Sequence, residues 1–186
     1  MIQILLDKNE KYSMTEMAKI AIEAGCGWLI LPDVNIENLR DEAPGIVDLC
    51  REAGVILTVR NSLEAAREFG LHGIMLDLGG NPIAARGDLG AEAIIGSFIA
   101  DASPASALSM ADIDYFILKP SQSDIIENAR SAGVENHFVA ICSGAGLDRE
   151  KIDSIRTAGF SGICADSAVF NNDNPAEYIA RLTKTI

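Results

Sequence analysis

The chain has 186 residues, of which 48% are hydrophobic and 23% are charged, and its formal net charge is −12. This composition predicts one globular domain, spanning residues 1–186, with a substantial core. The negative charge argues against a nucleic-acid partner, because binding to a phosphate backbone needs clustered Lys and Arg side chains. No apolar run approaches the roughly 20 residues of a transmembrane helix. The first residues predict a strand instead of a secretion signal, so we expect a cytoplasmic protein with no membrane partner.

Eight short apolar segments, rich in Ile, Val and Leu, follow one another at the spacing of one βα unit. Continuous apolar segments of this length are typical of parallel strands that are buried on both faces. The predicted strands cover residues 2–6, 28–31, 55–59, 73–76, 93–98, 115–118, 138–142 and 162–165.

Helix signals separate most of the predicted strands. Ser13 and Glu16 have the spacing of a capping box, ahead of a periodic segment that stops at Gly25. Further helices are predicted over residues 46–53, 63–69, 121–132, 148–158 and 174–182. Residues 82–86 and 104–110 are weaker helix candidates, and the first is equally consistent with a turn.

Eight alternating units without a break in composition predict an α/β fold, a single-domain (β/α)8 TIM barrel. An open doubly wound sheet is the alternative, although that fold needs fewer strands. A chain of 186 residues is short for this barrel, so we expect a compact barrel with short loops.

Active sites of such barrels lie at the carboxyl ends of the strands, so the residues that follow each strand are the site candidates. Cations there can clamp an anion, and carboxylates can act as acid, base or Mg²⁺ ligand. Each carboxylate is also a common helix cap. The candidates are Asp33, Arg60 and Lys119 for catalysis, Asn61, Ser97 and Asp166 for the substrate pocket, and Asp77 for Mg²⁺.

Two turns of small residues end the seventh and eighth predicted strands. Ser143 and Gly144 form the first turn, and Ser167 and Ala168 form the second. Backbone N–H groups in such turns can approach a ligand closely, and phosphate sites in these barrels use the same two loops. The turns therefore predict a binding site for a phosphorylated small molecule, although ordinary βα loops also use glycine and serine.

The order and spacing of several segments resemble the thiamine phosphate synthases and the related thiazole tautomerases. Residues 86–97 (R-G-D-L-G-A-E-A-I-I-G-S) resemble the family's A-R-x-x-L-G-x-x-x-I-I-G-x-S, and residues 139–144 (V-A-I-C-S-G) resemble V-A-I-G-G. Residues 159–170 (G-F-S-G-I-C-A-D-S-A-V-F) resemble G-A-D-G-V-A-V-V-S-A-I-F. The resemblance implies a (β/α)8 barrel that joins a pyrimidine methyl pyrophosphate to a thiazole phosphate and releases pyrophosphate with Mg²⁺. It also implies that Ser143, Gly144 and Ser167 hold the thiazole phosphate.

The catalytic motifs of that family are largely replaced. Its Q-L-R-x-K is I-L-P-D-V at residues 30–34, its Asn-Asp pair is Arg60-Asn61, and its G-Q-E-D is D-L-G-G at residues 77–80. Its T-x-T-K loop is missing, which leaves Lys119 before a proline. Losing these charges should slow the departure of pyrophosphate. A tautomerase would need a catalytic histidine, and both histidines precede strands, away from the predicted site.

Three interpretations remain open. The chain is a divergent thiamine phosphate synthase, a different barrel enzyme with Asp33 or Asp77 as acid or base, or a non-catalytic relative that binds a phosphorylated ligand. All three share the predicted phosphate site. The oligomeric state is also open, a homo-oligomer included.

Overall fold

The computed structural model describes residues 1–103 and 112–185, in which eight parallel strands form a closed barrel in chain order. Ile2 pairs with Ile163 and Ile4 with Ala165, so the first and last strands close the barrel. The (β/α)8 prediction is confirmed over the open sheet. The strands are β1 (Ile2–Leu5), β2 (Trp28–Leu31), β3 (Ile56–Arg60), β4 (Gly73–Leu76), β5 (Ile94–Phe98), β6 (Tyr115–Leu118), β7 (His137–Cys142) and β8 (Gly162–Ala165).

Helices surround the barrel, and several begin at the predicted caps. Ser13 and Glu16 form the predicted capping box, and the side chains of Ser62 and Asp148 each accept a backbone N–H at a helix start. In the described ranges the helices are α1 (Met14–Glu23), α2 (Ile36–Leu39), α3 (Ala43–Ala53), α4 (Leu63–Glu68), α5 (Pro82–Leu89), α6 (Asp124–Ser131), α7 (Arg149–Thr157) and α8 (Pro175–Thr185).

Three helical elements depart most from the prediction, and several strands and helices differ from it by one to three residues at an end. The weak candidate at residues 82–86 is the full helix α5, because Asn81 caps it and Pro82 suits its first turn. The short helix α2 was not predicted, and α6 begins only after a 3₁₀ turn, Pro120–Gln122. The candidate at residues 104–110 lies outside the described residues.

Side chains alternate between the barrel interior and the layer beneath the helices. Trp28, Met75, Tyr115 and Cys164 belong to the interior cluster, where the Trp28 and Tyr115 rings meet edge-on at 5.4 Å. The Tyr115 ring packs directly on the backbone of Gly96, where an added Cβ would lie 2.2 Å from a ring carbon. The interior is thus a packed core and leaves ligand binding to the ends of the barrel.

The four cysteines are free; Cys26, Cys50 and Cys164 are buried, and Cys142 is half-buried. Burial raises the pKa of the Cys26, Cys50 and Cys142 thiols to about 11 and that of Cys164 to about 12. Thiols with such pKa values are poor nucleophiles at neutral pH. None of the described helices is long and apolar enough to cross a membrane.

Candidate functional site

The alternation of side chains brings four predicted site residues to the mouth of the barrel at the carboxyl ends of the strands. Asp77 is two residues after Met75, and Asp166 is two residues after Cys164, both of which face the interior. Arg60 and Lys119 have the same parity on β3 and after β6. The side chains of these four charged residues therefore lie at the end of the interior core, where the barrel opens to solvent.

Arg60 and Asp77 form a two-point ion pair across this mouth. Arg60 Nε and Nη2 donate to Asp77 Oδ1 and Oδ2 at 2.8 and 2.9 Å, and the guanidinium lies 6.0 Å from the Phe98 ring centroid. The hydrogen bond to Asp77 raises the pKa of Arg60. Partial burial acts to raise the pKa of Asp77, but the hydrogen bonds from Arg60 and Asn61 leave it below the ordinary value. The charge of Arg60 is thus matched within the protein.

Asn61 connects this ion pair to Asp33. Its Nδ2 donates to Asp33 Oδ2 and to Asp77 Oδ2, both at 2.8 Å, while its Oδ1 accepts the Asp77 N–H at 2.8 Å. Asn61 has φ 55°, a left-handed conformation that asparagine tolerates better than most residues. Asp33, Arg60, Asn61 and Asp77 therefore form one hydrogen-bonded network, which we call the β2–β4 network.

The contacts of the β2–β4 network bear on the predicted Mg²⁺ ligand. Both oxygens of Asp77 already accept hydrogen bonds, and the Arg60 guanidinium occupies the space a cation would need. No group of three His, Cys, Asp or Glu side chains in the described ranges is placed to hold a metal ion. These residues do not fit a resident Mg²⁺ ion, and Asp77 acts here as the counter-ion of Arg60.

The predicted phosphate loops lie side by side, but an aspartate of the chain binds their N–H groups. Asp166 Oδ1 accepts from Gly144 N at 2.7 Å and from Ala168 N at 3.0 Å. The Ser167 hydroxyl is buried and donates to the Lys8 carbonyl at 3.2 Å. Ser143 is exposed, and its hydroxyl accepts from Ala145 N at 3.4 Å. The loops thus meet as predicted, with their polar groups turned toward the protein.

Tyr178 on α8 fixes the loop after β7 from below. Its hydroxyl accepts the Leu147 N–H at 2.7 Å and lies 2.9 Å from the Gly144 carbonyl and 3.0 Å from the Leu147 carbonyl. Gly144 itself has no room for a side chain, because an added Cβ would lie 2.6 Å from the Asp166 carbonyl oxygen. The position of the Gly144 N–H is therefore set by packing and hydrogen bonds around it.

Two predicted residues do not join these groups. Ser97 lies between Gly96 and Phe98, which face the interior, so its side chain points toward the helices, where it is buried and donates to the Phe98 carbonyl. The Ser97 prediction as a pocket residue is therefore not supported by its position. Lys119 is exposed at the mouth, and its backbone N–H donates to Gln122.

The loops after β1 and β8 flank an open hollow of about 540 Å³. Asn9 Nδ2 joins the two loops by donating to the Ser167 carbonyl at 3.3 Å and to Asn171 Oδ1 at 3.1 Å. The sequence prediction did not include Asn9 and Lys11, although the D-K-N-E-K segment directly follows the first strand. In a closed barrel that segment must lie beside the loop after the last strand. The hollow is lined by Asp7, Lys8, Asn9, Glu10, Lys11, Asp166, Ser167, Ala168 and Asn171.

Comparison with known proteins identifies the family. Residues 3–169 match the family model described as thiamine monophosphate synthase. The chain belongs to the thiamine monophosphate synthase family. The resemblance of its sequence motifs to this family is thereby confirmed.

Full-length relatives carry the family's name. A thiamine-phosphate synthase of Phocaeicola vulgatus is 25% identical over 198 residues, which cover 97% of this chain and 95% of the relative. A thiamine-phosphate synthase of Bacteroides fragilis is 26% identical over 201 residues, with 97% of both chains covered. The solved thiamine phosphate pyrophosphorylase of Pyrococcus furiosus matches with a TM-score of 0.80 at 17% identity, covering 99% of this chain and 94% of that one.

Asp166 departs from the family motif that residues 159–170 resemble. The family pattern V-V-S-A-I-F has valine at the position of Asp166, and valine cannot accept the hydrogen bonds that the aspartate accepts here. That difference was visible in the sequence. The aspartate was predicted only as a pocket residue because its partners come from two separate loops.

Proposed function

We propose that this member of the thiamine monophosphate synthase family binds a phosphorylated small molecule in the hollow between the β1 and β8 loops. The reaction proposed for the site is the coupling of a pyrimidine methyl pyrophosphate with a thiazole phosphate. The observation that carries the proposal is the hollow itself, which places Lys8 and Lys11 beside Ser167 and Ala168.

The two lysines of the hollow support an anionic ligand, against the opposing charges of Asp7, Glu10 and Asp166 in the same lining. Lys8 is exposed at its wall, and Lys11 Nζ lies 3.4 Å from the Asn171 carbonyl at its rim. Ammonium groups bind phosphate through charge-assisted hydrogen bonds, and they have the flexibility to follow a ligand into an open site. A volume of about 540 Å³ falls in the range of small-molecule sites.

A second candidate function is binding without coupling, and the β2–β4 network favours it. Pyrophosphate leaves readily only where cations neutralise its developing charge. Arg60 is the cation of this network, and Asp77 and Asp33 lie within its hydrogen-bonded set. A site whose arginine is hydrogen-bonded within a set that holds two carboxylates can retain a phosphorylated ligand more readily than it can stabilise a departing pyrophosphate.

Calorimetric titration of the whole protein with thiamine phosphate and with thiazole phosphate, each with and without Mg²⁺, tests the binding. We expect saturable binding that is weakened in Lys8→Ala and Lys11→Ala and abolished in Ser167→Asp by like-charge repulsion. Lys19→Ala is the matched control, because Lys19 is an exposed lysine on α1 outside the hollow. Absence of binding at millimolar ligand in the folded wild type would refute the proposed function.

A coupling assay then separates the two candidates. Release of pyrophosphate from the two precursors, dependent on both of them, supports the synthase reaction. Saturable binding with no pyrophosphate release above the uncatalysed rate supports binding without coupling.

A further inference from the structure

A single carboxylate oxygen lies where the loops after β7 and β8 meet. Asp166 Oδ1 accepts the Gly144 N–H at 2.7 Å and the Ala168 N–H at 3.0 Å. These two donors belong to different loops, which the direct pairing of β7 with β8 brings to one point. An ionised acceptor makes both bonds charge-assisted, which is the stronger class of hydrogen bond.

The Gly144 donor is held in place independently of the carboxylate, whereas the Ala168 donor lies at the start of the 3₁₀ turn Ser167–Asn171 that the Asp166 side chain caps. An added Cβ at Gly144 would lie 2.4 Å from Val169 Cγ1, so the loops are in direct contact at this point. The Tyr178 hydroxyl fixes Gly144 and Leu147 from the opposite side. The Ser167 hydroxyl, which donates to the Lys8 carbonyl, also anchors the start of that 3₁₀ turn. Removing the Asp166 side chain should therefore leave both N–H groups near the same point.

We propose that Asp166 is a specificity-determining residue that competes with the phosphate of a ligand for these two N–H groups. A phosphate oxygen binding both donors would occupy the position of Asp166 Oδ1, so only one of the two anions can be bound there. Asp166 also lines the hollow, where its charge opposes a second anion nearby. This inference rests on the proposed function, because it concerns the same site.

The competition has a consequence for the ligand. A phosphorylated molecule bound to the wild-type protein is held by the lysines of the β1 loop and not by the N–H groups of the β7 and β8 loops. The site therefore discriminates against any anion whose binding depends on these two backbone donors.

Two substitutions separate the effect of the hydrogen-bond acceptor of Asp166 from the effect of its negative charge. Asp166→Ala removes both, whereas Asp166→Asn keeps an oxygen that can accept the same N–H groups without the charge. Asp173→Ala is the matched control, because it removes an exposed aspartate outside the hollow. Inorganic phosphate is titrated into each whole protein at fixed pH and ionic strength, and the backbone amide resonances of Gly144 and Ala168 are followed by NMR.

We expect Asp166→Ala to bind phosphate about ten- to a hundredfold more tightly than the wild type, because two charge-assisted hydrogen bonds become available. The resonances of Gly144 and Ala168 should shift in step with that binding. Asp166→Asn should fall between the two, and Asp173→Ala should match the wild type. Thermal unfolding of each variant checks the fold, and Asp166→Asn tests the charge alone if the alanine variant is unfolded.

Equal phosphate affinity in the wild type and in the Asp166 variants would overturn the inference, as would a gain in affinity that leaves both amide resonances unmoved. Failure of the proposed function gives a different result. In that case the wild type binds neither thiamine phosphate nor thiazole phosphate, but Asp166→Ala still has a higher affinity for inorganic phosphate than the wild type. Wild-type binding of thiamine phosphate with full shifts at Gly144 and Ala168 would keep the function and refute the competition.

Discussion

The hydroxyl of Tyr178 provides the sharpest test of how the loop after β7 is held. Tyr178→Phe keeps the ring and removes the one atom that accepts the Leu147 N–H and donates to a neighbouring carbonyl. Tyr178 and Leu147 are 8% and 3% exposed, so water replaces these bonds poorly. Each buried group left unsatisfied costs about 1–3 kcal/mol, so we expect a loss of about 2–4 kcal/mol in unfolding free energy.

In a domain of this size, that loss corresponds to a fall of about 4–16 °C in the midpoint of thermal unfolding. Tyr12→Phe is the matched control, because in the part of the chain that the structure describes the Tyr12 hydroxyl makes no hydrogen bond. Circular dichroism melts of both variants give the comparison. If Tyr178→Phe melts within about 1 °C of Tyr12→Phe, the hydroxyl does not hold the loop and the reasoning is wrong.

Three further predictions concern the core, the mouth of the barrel and the response to pH. Gly96→Ala drives a methyl group into the Tyr115 ring and should cost about 1–3 kcal/mol, whereas Gly87→Ala, in an open helical position, should be neutral or stabilising in the same denaturant titration. Asp77→Asn removes the counter-ion of Arg60, so the affinity for inorganic pyrophosphate should rise several-fold in calorimetry; an unchanged affinity would show that Arg60 is inaccessible to anions. The four cysteines have raised pKa values in the folded protein, so their contribution to stability is complete below pH 9 and is lost as the pH rises toward 11 and 12. Unfolding free energy should therefore fall above pH 9 by up to about 1.4 kcal/mol per pH unit for each thiol that ionises only in the unfolded chain, and a flat profile would contradict the burial of these thiols.

The fold was predictable because each of its signals is local. The strand at residues 73–76 is an apolar segment four residues long, and the cap at Ser13 needs only Glu16 beside it. The predicted helix bounds were wrong where a single side chain determines whether a helix forms. At α5, the Asn81 side chain caps a segment whose helix signal is otherwise weak.

The site was only partly predictable, because its contacts cross between strands. Arg60 pairs in register with Met75, and that register is what brings Asp77 to its guanidinium. Asp166 has the residue type of a pocket carboxylate, but its role depends on N–H groups from two loops. Sequence patterns predict that a residue lies at a strand end and show which groups its side chain carries. They do not show which neighbouring groups that side chain already binds.

The pairing of β1 with β8 also sets the order in which the protein becomes functional during synthesis. Until residues 162–165 have left the ribosome, β1 has no partner on one side and the sheet carries two open edges. At roughly 5–20 residues per second, that state lasts roughly 10–30 s, during which the open edges are exposed to other chains. The hollow lies between the loops after these same two strands, so it forms only after β8 has been made. Ligand binding to the hollow would therefore report that the barrel has closed, which makes it a direct probe for following the maturation of the nascent chain.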